Sequence, residues 1–201
     1  MSERTVVHLV RHGEVYNPQK LLYGRMPGYH LSSRGRSMAA ATAKFFEGRE
    51  VTYLAASPLE RAQETAAPIS QVTGCEVDTV DGILEAGNTF EGLRTKGWRT
   101  QLANPIRWRH MTNPLEPSWG EPYAEILERM LAAVEGARQK ALGHEAVLVS
   151  HQLPIVMVQR YVQGKPLAHA SRRCDLASVT SLVFDGDVVI DWSYETPAAH
   201  I

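Results

Sequence analysis

Short apolar runs along the chain predict the strands of a buried, mostly parallel sheet. A β-branched run from Thr5 to Val10 stops abruptly at a charged cluster, which is typical of a strand that is covered on both faces and ends at a surface. Further strands are predicted at three places, namely Val51 to Ala56, Glu76 to Val80 and Ala146 to Ser150. The last of these strands also ends at a polar residue, because His151 follows it directly.

The segments between these strands carry apolar residues at helical spacing. Met38, Ala41 and Phe45 mark one face of a helix that Ser33 is expected to cap. Four helices are predicted in all, covering Arg34 to Phe46, Pro58 to Val72, Glu121 to Leu142 and Pro154 to Val162. Strands that alternate with helices predict an α/β fold, here a three-layer α/β/α sandwich with a mostly parallel central sheet.

Two parts of the chain depart from this alternation. Val179 to Phe184 and Val188 to Trp192, joined by Asp-Gly-Asp, predict a closing β-hairpin. Residues 81–120 are irregular and rich in glycine and proline, and a segment of this length inside a compact domain is usually functional. We therefore expect a single domain over residues 1–201 that carries a lid or specificity insert at about 81–120.

The composition limits the classes of partner. A formal net charge of −1 gives no electrostatic reason to expect nucleic acid or an anionic membrane, and no apolar run has the length of a signal peptide or a membrane-spanning helix. Cys75 and Cys174 lack metal-site spacing, which predicts free thiols. We expect a cytoplasmic protein whose partner is a small molecule, with the C-terminal YETPAAHI tail as a candidate contact in a homo-oligomer.

Polar, chemically active residues follow three of the predicted strands. Arg11-His12-Gly13 follows the first strand, the segment from Ser57 to Arg61 follows the second, and His151 follows the later strand at 146–150. In a parallel sheet, ligands bind beyond the carboxyl ends of the strands. Taken singly, each residue has a plain structural interpretation, such as a surface histidine, a solvated helix arginine or a core histidine. Their shared position predicts one site.

Two arginines and two histidines at one sheet edge form a cationic pocket suited to a phosphoryl group. Guanidinium groups bind phosphate oxygens in pairs, and a neutral imidazole can attack phosphorus as a nucleophile. Fixed cations can take the place of Mg²⁺, so no metal is expected. The leaving oxygen needs a proton, for which Glu85 is the candidate acid. The competing carboxylates are Glu14, Glu60, Glu64 and Glu91.

Four segments together carry a resemblance to a known family. They are LVRHGE near the N-terminus, SPLERAQETA after the second strand, LEAGNTFEG after the third and VSHQ after a later strand. RHG alone is a weak signal, but RHG followed at this distance by SPLxRAxxTA and a strand-ending histidine is specific. The chain resembles the histidine phosphatase superfamily, also called the phosphoglycerate mutase-like group, branch 1.

The resemblance implies a role for each matching residue and no cofactor. It implies that His12 is the phosphorylated nucleophile, that Arg11, Arg61 and His151 bind phosphate, and that Glu85 donates the proton. It also assigns substrate contacts to Asn17, Tyr23 and Gly24. Gln152 stands where the family usually has glycine, and we expect it to contact substrate as well. Asn17 lies one residue closer to the RHG arginine than the asparagine of many relatives.

These residues predict a metal-independent phosphatase that hydrolyses a phosphorylated small molecule through a phosphohistidine. A cofactor-dependent phosphoglycerate mutase would use the same residues, and a non-catalytic phospho-ligand binding module is a third interpretation. The mutases compared carry a longer insert than the 65 residues that lie between Glu85 and His151, which favours hydrolysis. Arg107 and Arg109, in the irregular segment, are candidates for a distal acidic group of the substrate. The substrate itself cannot be read from the motifs.

Overall fold

The computed structural model describes residues 4–94, 120–168 and 173–201. A central sheet of six strands has the order β3-β2-β4-β1-β5-β6. β1 to β4 are parallel, and β5 runs antiparallel to both β1 and β6. The strands are β1 (Arg4–Arg11), β2 (Val51–Ala56), β3 (Val77–Thr79), β4 (Glu145–Ser150), β5 (Val179–Asp185) and β6 (Val188–Glu195).

Helices cover both faces of this sheet because its central strands are apolar on both sides. Alternate residues of β1 face opposite layers, so Leu9 packs in the cluster that holds Met130, whereas Val10 packs in the cluster that holds Phe46. The helices are α1 (Ser33–Phe45), α2 (Glu60–Thr73), α3 (Tyr123–Lys140) and α4 (Gln152–Val162). α1 and α2 lie on one face, and α3 and α4 lie on the other. The predicted α/β/α sandwich is therefore confirmed.

The strand register brings the predicted functional segments to one edge. Arg11 on β1 is paired with Ser150 on β4, and Ala56 on β2 is paired with Val149 on β4. The residues that follow these strands, His12, Ser57 and His151, therefore leave the sheet side by side. This edge is the carboxyl end of the parallel strands, where α/β proteins bind ligands.

All four helix starts differ from the sequence expectation. α3 begins at Tyr123, two residues after Glu121, and the other three differ for local reasons. Ser32, not Ser33, caps α1, because its side chain accepts a hydrogen bond from Gly35 N. α2 begins at Glu60, two residues after Pro58, because Leu59 still has extended backbone angles. α4 begins at Gln152, so Pro154 lies inside the first turn, where an N–H has no partner within the helix.

The predicted insert at 81–120 lies partly outside the described residues, which lack 95–119. Trp98, Trp108 and Trp119 and the candidates Arg107 and Arg109 fall in that gap. The described part contains a short 3₁₀ helix, Asp81–Ile83, and two isolated β-bridges, one from Leu21 to Arg94 and one from Asn88 to Gly120. Both cysteines are free thiols. Within the described ranges, no helix is both long enough and apolar enough to cross a membrane.

Two glycines allow the loop after β1 to cross the start of α1 closely. A Cβ at Gly13 would lie 2.6 Å from the carbonyl oxygen of Gly35, and a Cβ at Gly35 would lie 2.0 Å from that of Glu14. Both contacts are to backbone, which cannot rotate away as a side chain can. The third residue of the RHG motif is therefore a glycine because the backbone at this position lies too close to the backbone of α1 for a side chain.

We predict that Gly35→Ala lowers the free energy of unfolding by about 1–3 kcal/mol, because the new methyl group overpacks this crossing. Gly136→Ala is the matched control, since Gly136 also lies in a helix and its Cβ would meet no atom within 4 Å. That control should gain about 0.5–1 kcal/mol from helix propensity. Urea unfolding of both variants tests the pair, and a Gly35→Ala variant as stable as the parent would contradict the argument.

Candidate active site

A cleft of about 360 Å³ opens at the carboxyl edge of the sheet. Arg11 and His12 line it from β1, Glu85 from the loop after the 3₁₀ helix, and Gln152 from the first turn of α4. Arg61 and His151 are fully buried beside the lining residues. The residues predicted to share a site are thus brought together from four separate parts of the chain.

The ring of His12 is fixed in one orientation and one tautomer. Its side chain is 2% exposed, and Nδ1 lies 2.8 Å from the carbonyl oxygen of Gly13. Because a carbonyl can only accept a hydrogen bond, Nδ1 carries the proton in the neutral ring. The lone pair is consequently on Nε2, the nitrogen suited to attack a bound electrophile.

Two arginines, the half-buried Arg11 and the fully buried Arg61, keep buried guanidinium nitrogens without partners among the described residues. These are Nε of Arg11 and both Nε and Nη1 of Arg61. Each guanidinium is held by one other bond: Arg11 Nη1 donates to Cys174 O at 2.5 Å, and Arg61 Nη2 donates to Gly24 O at 2.6 Å. Buried donors normally have partners, so three such donors around one cleft favour an anionic ligand with several oxygens.

His151 lies next to His12 and is buried behind the residues that line the cleft. The two ring centroids are 5.2 Å apart, and His151 Nε2 lies 2.8 Å from Ser57 Oγ. Its Nδ1 is buried and lacks a partner among the described residues. Once protonated, this nitrogen would add one more donor to those of the two arginines.

Burial keeps both imidazoles neutral in the free protein. The pKa of His12 lies well below 6.5, first because burial penalises the charged ring and then because Arg61 and Arg11 repel it. Burial likewise lowers the pKa of His151, and the charges of Arg61 and Arg11 add to that effect. A neutral His12 retains the lone pair that a nucleophile requires.

Three residues of the SPLERAQETA segment have different roles at the site, and these roles explain the spacing between them. Ser57 supports His151 as described above, and Arg61 enters the cleft from the second residue of α2. Thr65, one helical turn further on the same face, accepts a hydrogen bond from Gly13 N at 3.1 Å and donates to Arg61 O at 2.7 Å. The sequence reasoning did not assign roles to Ser57 or Thr65, although the i, i+4 spacing of Arg61 and Thr65 was a usable signal.

Among the candidate acids, Glu85 is the carboxylate that lines the described part of the cleft. Its Oε1 accepts a hydrogen bond from Ala86 N at 2.9 Å. The four competitors are engaged elsewhere: Glu14 with Ser32 and Arg34, Glu60 with Gly28 N, Glu64 with His30 and Leu31 N, and Glu91 with Arg25 N.

An ion-pair cluster that the sequence reasoning missed holds the backbone at Glu85. Arg129 Nη1 donates to Leu84 O at 2.6 Å, and Arg25 Nε donates to Glu85 O at 2.6 Å. Glu121 bridges the two arginines, accepting from Arg25 Nη2 at 2.7 Å and from Arg129 Nε at 2.8 Å. The loop that carries Glu85 is thereby fixed to α3 and to the loop around Arg25. No motif of the sequence pointed to this cluster.

The four remaining candidates differ in where they lie. Tyr23 and Gly24 line the cleft, and Arg61 Cζ lies 4.8 Å from the centroid of the Tyr23 ring. Gln152 also lines it and donates from Nε2 to Cys174 O at 3.4 Å. Asn17 is not among the lining residues; its side chain exchanges two hydrogen bonds with the backbone of Leu21 and so closes the loop between them. A phosphate contact by Asn17 stays a prediction.

The sequence of the chain matches a known protein family over most of its length. The sequence model of the histidine phosphatase superfamily, branch 1, matches residues 7–192, which is most of the chain. The chain belongs to this superfamily. The resemblance inferred from four short segments is therefore confirmed over nearly the whole sequence.

Individual relatives are similar to the chain over most of its length. The chain is 50% identical over 201 residues to the uncharacterized protein Rv0525 of Mycobacterium tuberculosis, covering 99% of this chain and all of that one. It is 29% identical over 180 residues to the probable phosphoglycerate mutase GpmB of Photorhabdus laumondii, covering 85% and 80% of the two chains.

Two solved structures share the fold. YhfR of Bacillus stearothermophilus has a TM-score of 0.78 at 25% identity, covering 92% of this chain and 94% of that one. The mycobacterial glucosyl-3-phosphoglycerate phosphatase Rv2419c has a TM-score of 0.74 at 22% identity, covering 96% and 98%. The superfamily comprises phosphatases and mutases, so an enzyme is expected here.

The lowered histidine pKa values predict a pH-dependent stability. Unfolding restores each imidazole to its ordinary pKa near 6.5, so below that pH the unfolded chain binds protons that the folded chain does not. Stability should be fully present above about pH 6.5 and should fall toward pH 5, by at most about 1.4 kcal/mol per pH unit for each histidine. Urea unfolding in phosphate-free buffer measures this slope.

His12→Gln should reduce the slope of the unfolding free energy against pH, because one of the two buried, neutral histidines is removed. His200→Gln, at an exposed position, is the matched control and should leave the slope unchanged. The lowered carboxylate pKa values, such as that of Glu14, act in a separate window below about pH 4.5. Equal slopes for the parent and His12→Gln between pH 6.5 and 5 would refute the assignment.

Proposed function

We propose that this protein is a metal-independent phosphatase that hydrolyses a phosphomonoester through a phosphohistidine on His12. The observation that carries the proposal is that Gly13 O fixes the proton of His12 on Nδ1, which leaves the lone pair on Nε2, at a cleft where three buried guanidinium nitrogens have no partner among the described residues. This arrangement offers a nucleophile and a grip on phosphate oxygens in the same cleft.

In the first step, His12 Nε2 attacks phosphorus while the bond to the ester oxygen breaks. Arg11 and Arg61 bind the equatorial oxygens, whose charge develops in the transition state. His151 Nδ1 is placed to do the same once it carries a proton. Glu85 gives its proton to the leaving oxygen, so the alcohol departs neutral and the phosphoryl group stays on His12.

In the second step, water attacks the phosphohistidine on the side that the alcohol has left. Glu85, now a carboxylate, takes a proton from this water, and the P–N bond breaks to return the electron pair to His12 Nε2. Inorganic phosphate is released. The positive charge that many phosphoryl transferases obtain from Mg²⁺ is supplied by guanidinium groups fixed in the fold.

Hydrolysis is favoured over a mutase reaction by the length of the chain between the acid and the second histidine. Only 65 residues lie there, which leaves a more open cleft in which water competes for the phosphoryl group. The names of the relatives point both ways, since one is a glucosyl-3-phosphoglycerate phosphatase and another a probable phosphoglycerate mutase. A purely binding role is disfavoured because nucleophile, acid and arginines are all present.

The deciding experiment assays p-nitrophenyl phosphate at mildly acidic pH with and without EDTA, and 3-phosphoglycerate with a trace of 2,3-bisphosphoglycerate. We expect EDTA-insensitive phosphate release and a phosphoenzyme that is absent in His12→Ala. Strict dependence on added metal would overturn the mechanism, and rapid interconversion of phosphoglycerates without phosphate release would assign a mutase. No turnover of either compound would assign a binding module.

A second prediction concerns the acid and its support. Glu85→Gln removes the proton donor and should lower kcat/KM, which reports the phosphorylation step, for p-nitrophenyl phosphate and more strongly for an alkyl phosphate, by about 10²–10⁴-fold for the latter, because the poorer leaving group needs the proton more. Inhibition by vanadate should change little, since the arginines and His12 are retained. Equal loss for both esters would remove Glu85 from the acid role.

Glu121→Gln serves as the matched variant for positioning. Losing the charge that bridges Arg25 and Arg129 should loosen the Glu85 loop, giving the same ester-dependent pattern at a smaller amplitude, about tenfold. Glu125→Gln, four residues further along in the first turn of α3 and exposed, is the control and should behave like the parent. If Glu121→Gln lowered both esters equally, the cluster would have a structural role alone.

A further inference from the structure

We propose that a second cavity, separate from the active site, binds an organic anion that carries a flat ring and a small charged group. This β6 cavity measures about 280 Å³ and lies between α4, the segment that follows it, and the end of β6. Its lining residues are Val156, Gln159, Arg160, Gln163, Lys165, Arg173, Trp192 and Tyr194. The volume suits one ring and one small charged group.

Positive charge is concentrated in the β6 cavity. Arg160, Lys165 and Arg173 line it, and none of the described lining residues is a carboxylate. None of the three cations forms an ion pair with a carboxylate within the described ranges. In a chain whose formal net charge is −1, this local excess favours an anion at this place.

Two aromatic rings provide the surface for the flat part of the ligand. Trp192 and Tyr194 are two residues apart on β6, so both project from the same face of the sheet. β6 is an edge strand, and the Trp192 side chain is 38% exposed. Stacking on an exposed indole stabilises a planar ring without requiring hydrogen bonds to it.

The walls of the cavity are held in place by the protein. The Tyr194 hydroxyl accepts a hydrogen bond from Asp175 N at 2.7 Å and donates to Asp175 Oδ2 at 2.9 Å. On the floor, the buried Gln159 donates from Nε2 to Thr180 Oγ1 at 2.8 Å. Arg173 Cζ lies 5.1 Å from the Tyr194 ring centroid, which keeps this cation next to the aromatic surface.

The β6 cavity is distinct from the catalytic cleft, because the two share no lining residue. Binding there requires neither the nucleophile nor the phosphate-binding arginines of the cleft. The proposal therefore goes beyond the proposed function and can be tested on protein that has no turnover.

Calorimetry on the full-length His12→Ala variant, with adenosine 5′-monophosphate as the probe, tests the proposal. A second variant, His12→Ala with Arg61→Ala, removes a phosphate-binding arginine of the catalytic cleft. We expect one nucleotide per chain in both proteins, with adenosine and ribose 5-phosphate each binding at least about tenfold more weakly, because each lacks one of the two recognised parts. Absence of nucleotide binding, or its loss through Arg61→Ala, would overturn the proposal.

Variants in the His12→Ala background locate the site. Trp192→Ala should weaken nucleotide binding about tenfold, and Trp192→Phe, which keeps a flat ring, by about twofold at most. Arg173→Glu should weaken it about fivefold or more, whereas Lys44→Glu, an equal charge reversal on the last turn of α1, should not. Circular dichroism confirms folding. Unchanged affinity in both Trp192→Ala and Arg173→Glu would disprove the site.

Discussion

Positive charge buried at the carboxyl end of an apolar sheet is the constraint on which this structure depends. Arg61 is completely buried, and two of its N–H groups have no partner among the described residues. Leaving a buried donor unsatisfied typically costs about 1–3 kcal/mol. A core of packed apolar side chains on both faces of the sheet offsets that cost, and a bound phosphoryl group would remove it. The free protein is therefore less stable at this edge than its packing alone would allow.

The fold and the centre of the site were predictable because both follow from local patterns. Apolar strands with polar residues at their ends fix the sheet, its carboxyl edge and the meeting of His12, Arg61 and His151. From the sequence, Glu85 could be identified only as one of five candidate carboxylates. Its four competitors proved to be engaged in hydrogen bonds that depend on tertiary contacts, such as that between Glu60 and Gly28 N.

What escaped sequence reasoning depends on partners that are distant along the chain. The Arg25–Glu121–Arg129 cluster joins residues about a hundred positions apart, and each member has the unremarkable sequence context of a surface charge. The same is true of Asn17, whose side chain closes its own loop at Leu21. Helix starts shifted by one or two residues for local reasons: the Ser32 side chain caps α1, whereas extended backbone angles at Leu59 delay the start of α2.

The two halves of the proposed chemistry rest on supports of different kinds. His12, Arg61 and His151 are buried at strand ends or in a first helical turn, whereas Glu85 stands on a loop secured by three charged side chains. Substitutions in that loop, or in the charged residues that hold it, can change which alcohol group fits the cleft. The binding of the phosphate oxygens by the arginines would not change. When substrate preference diverges in such a fold, we therefore expect changes in the residues around Glu85 and few changes around His12.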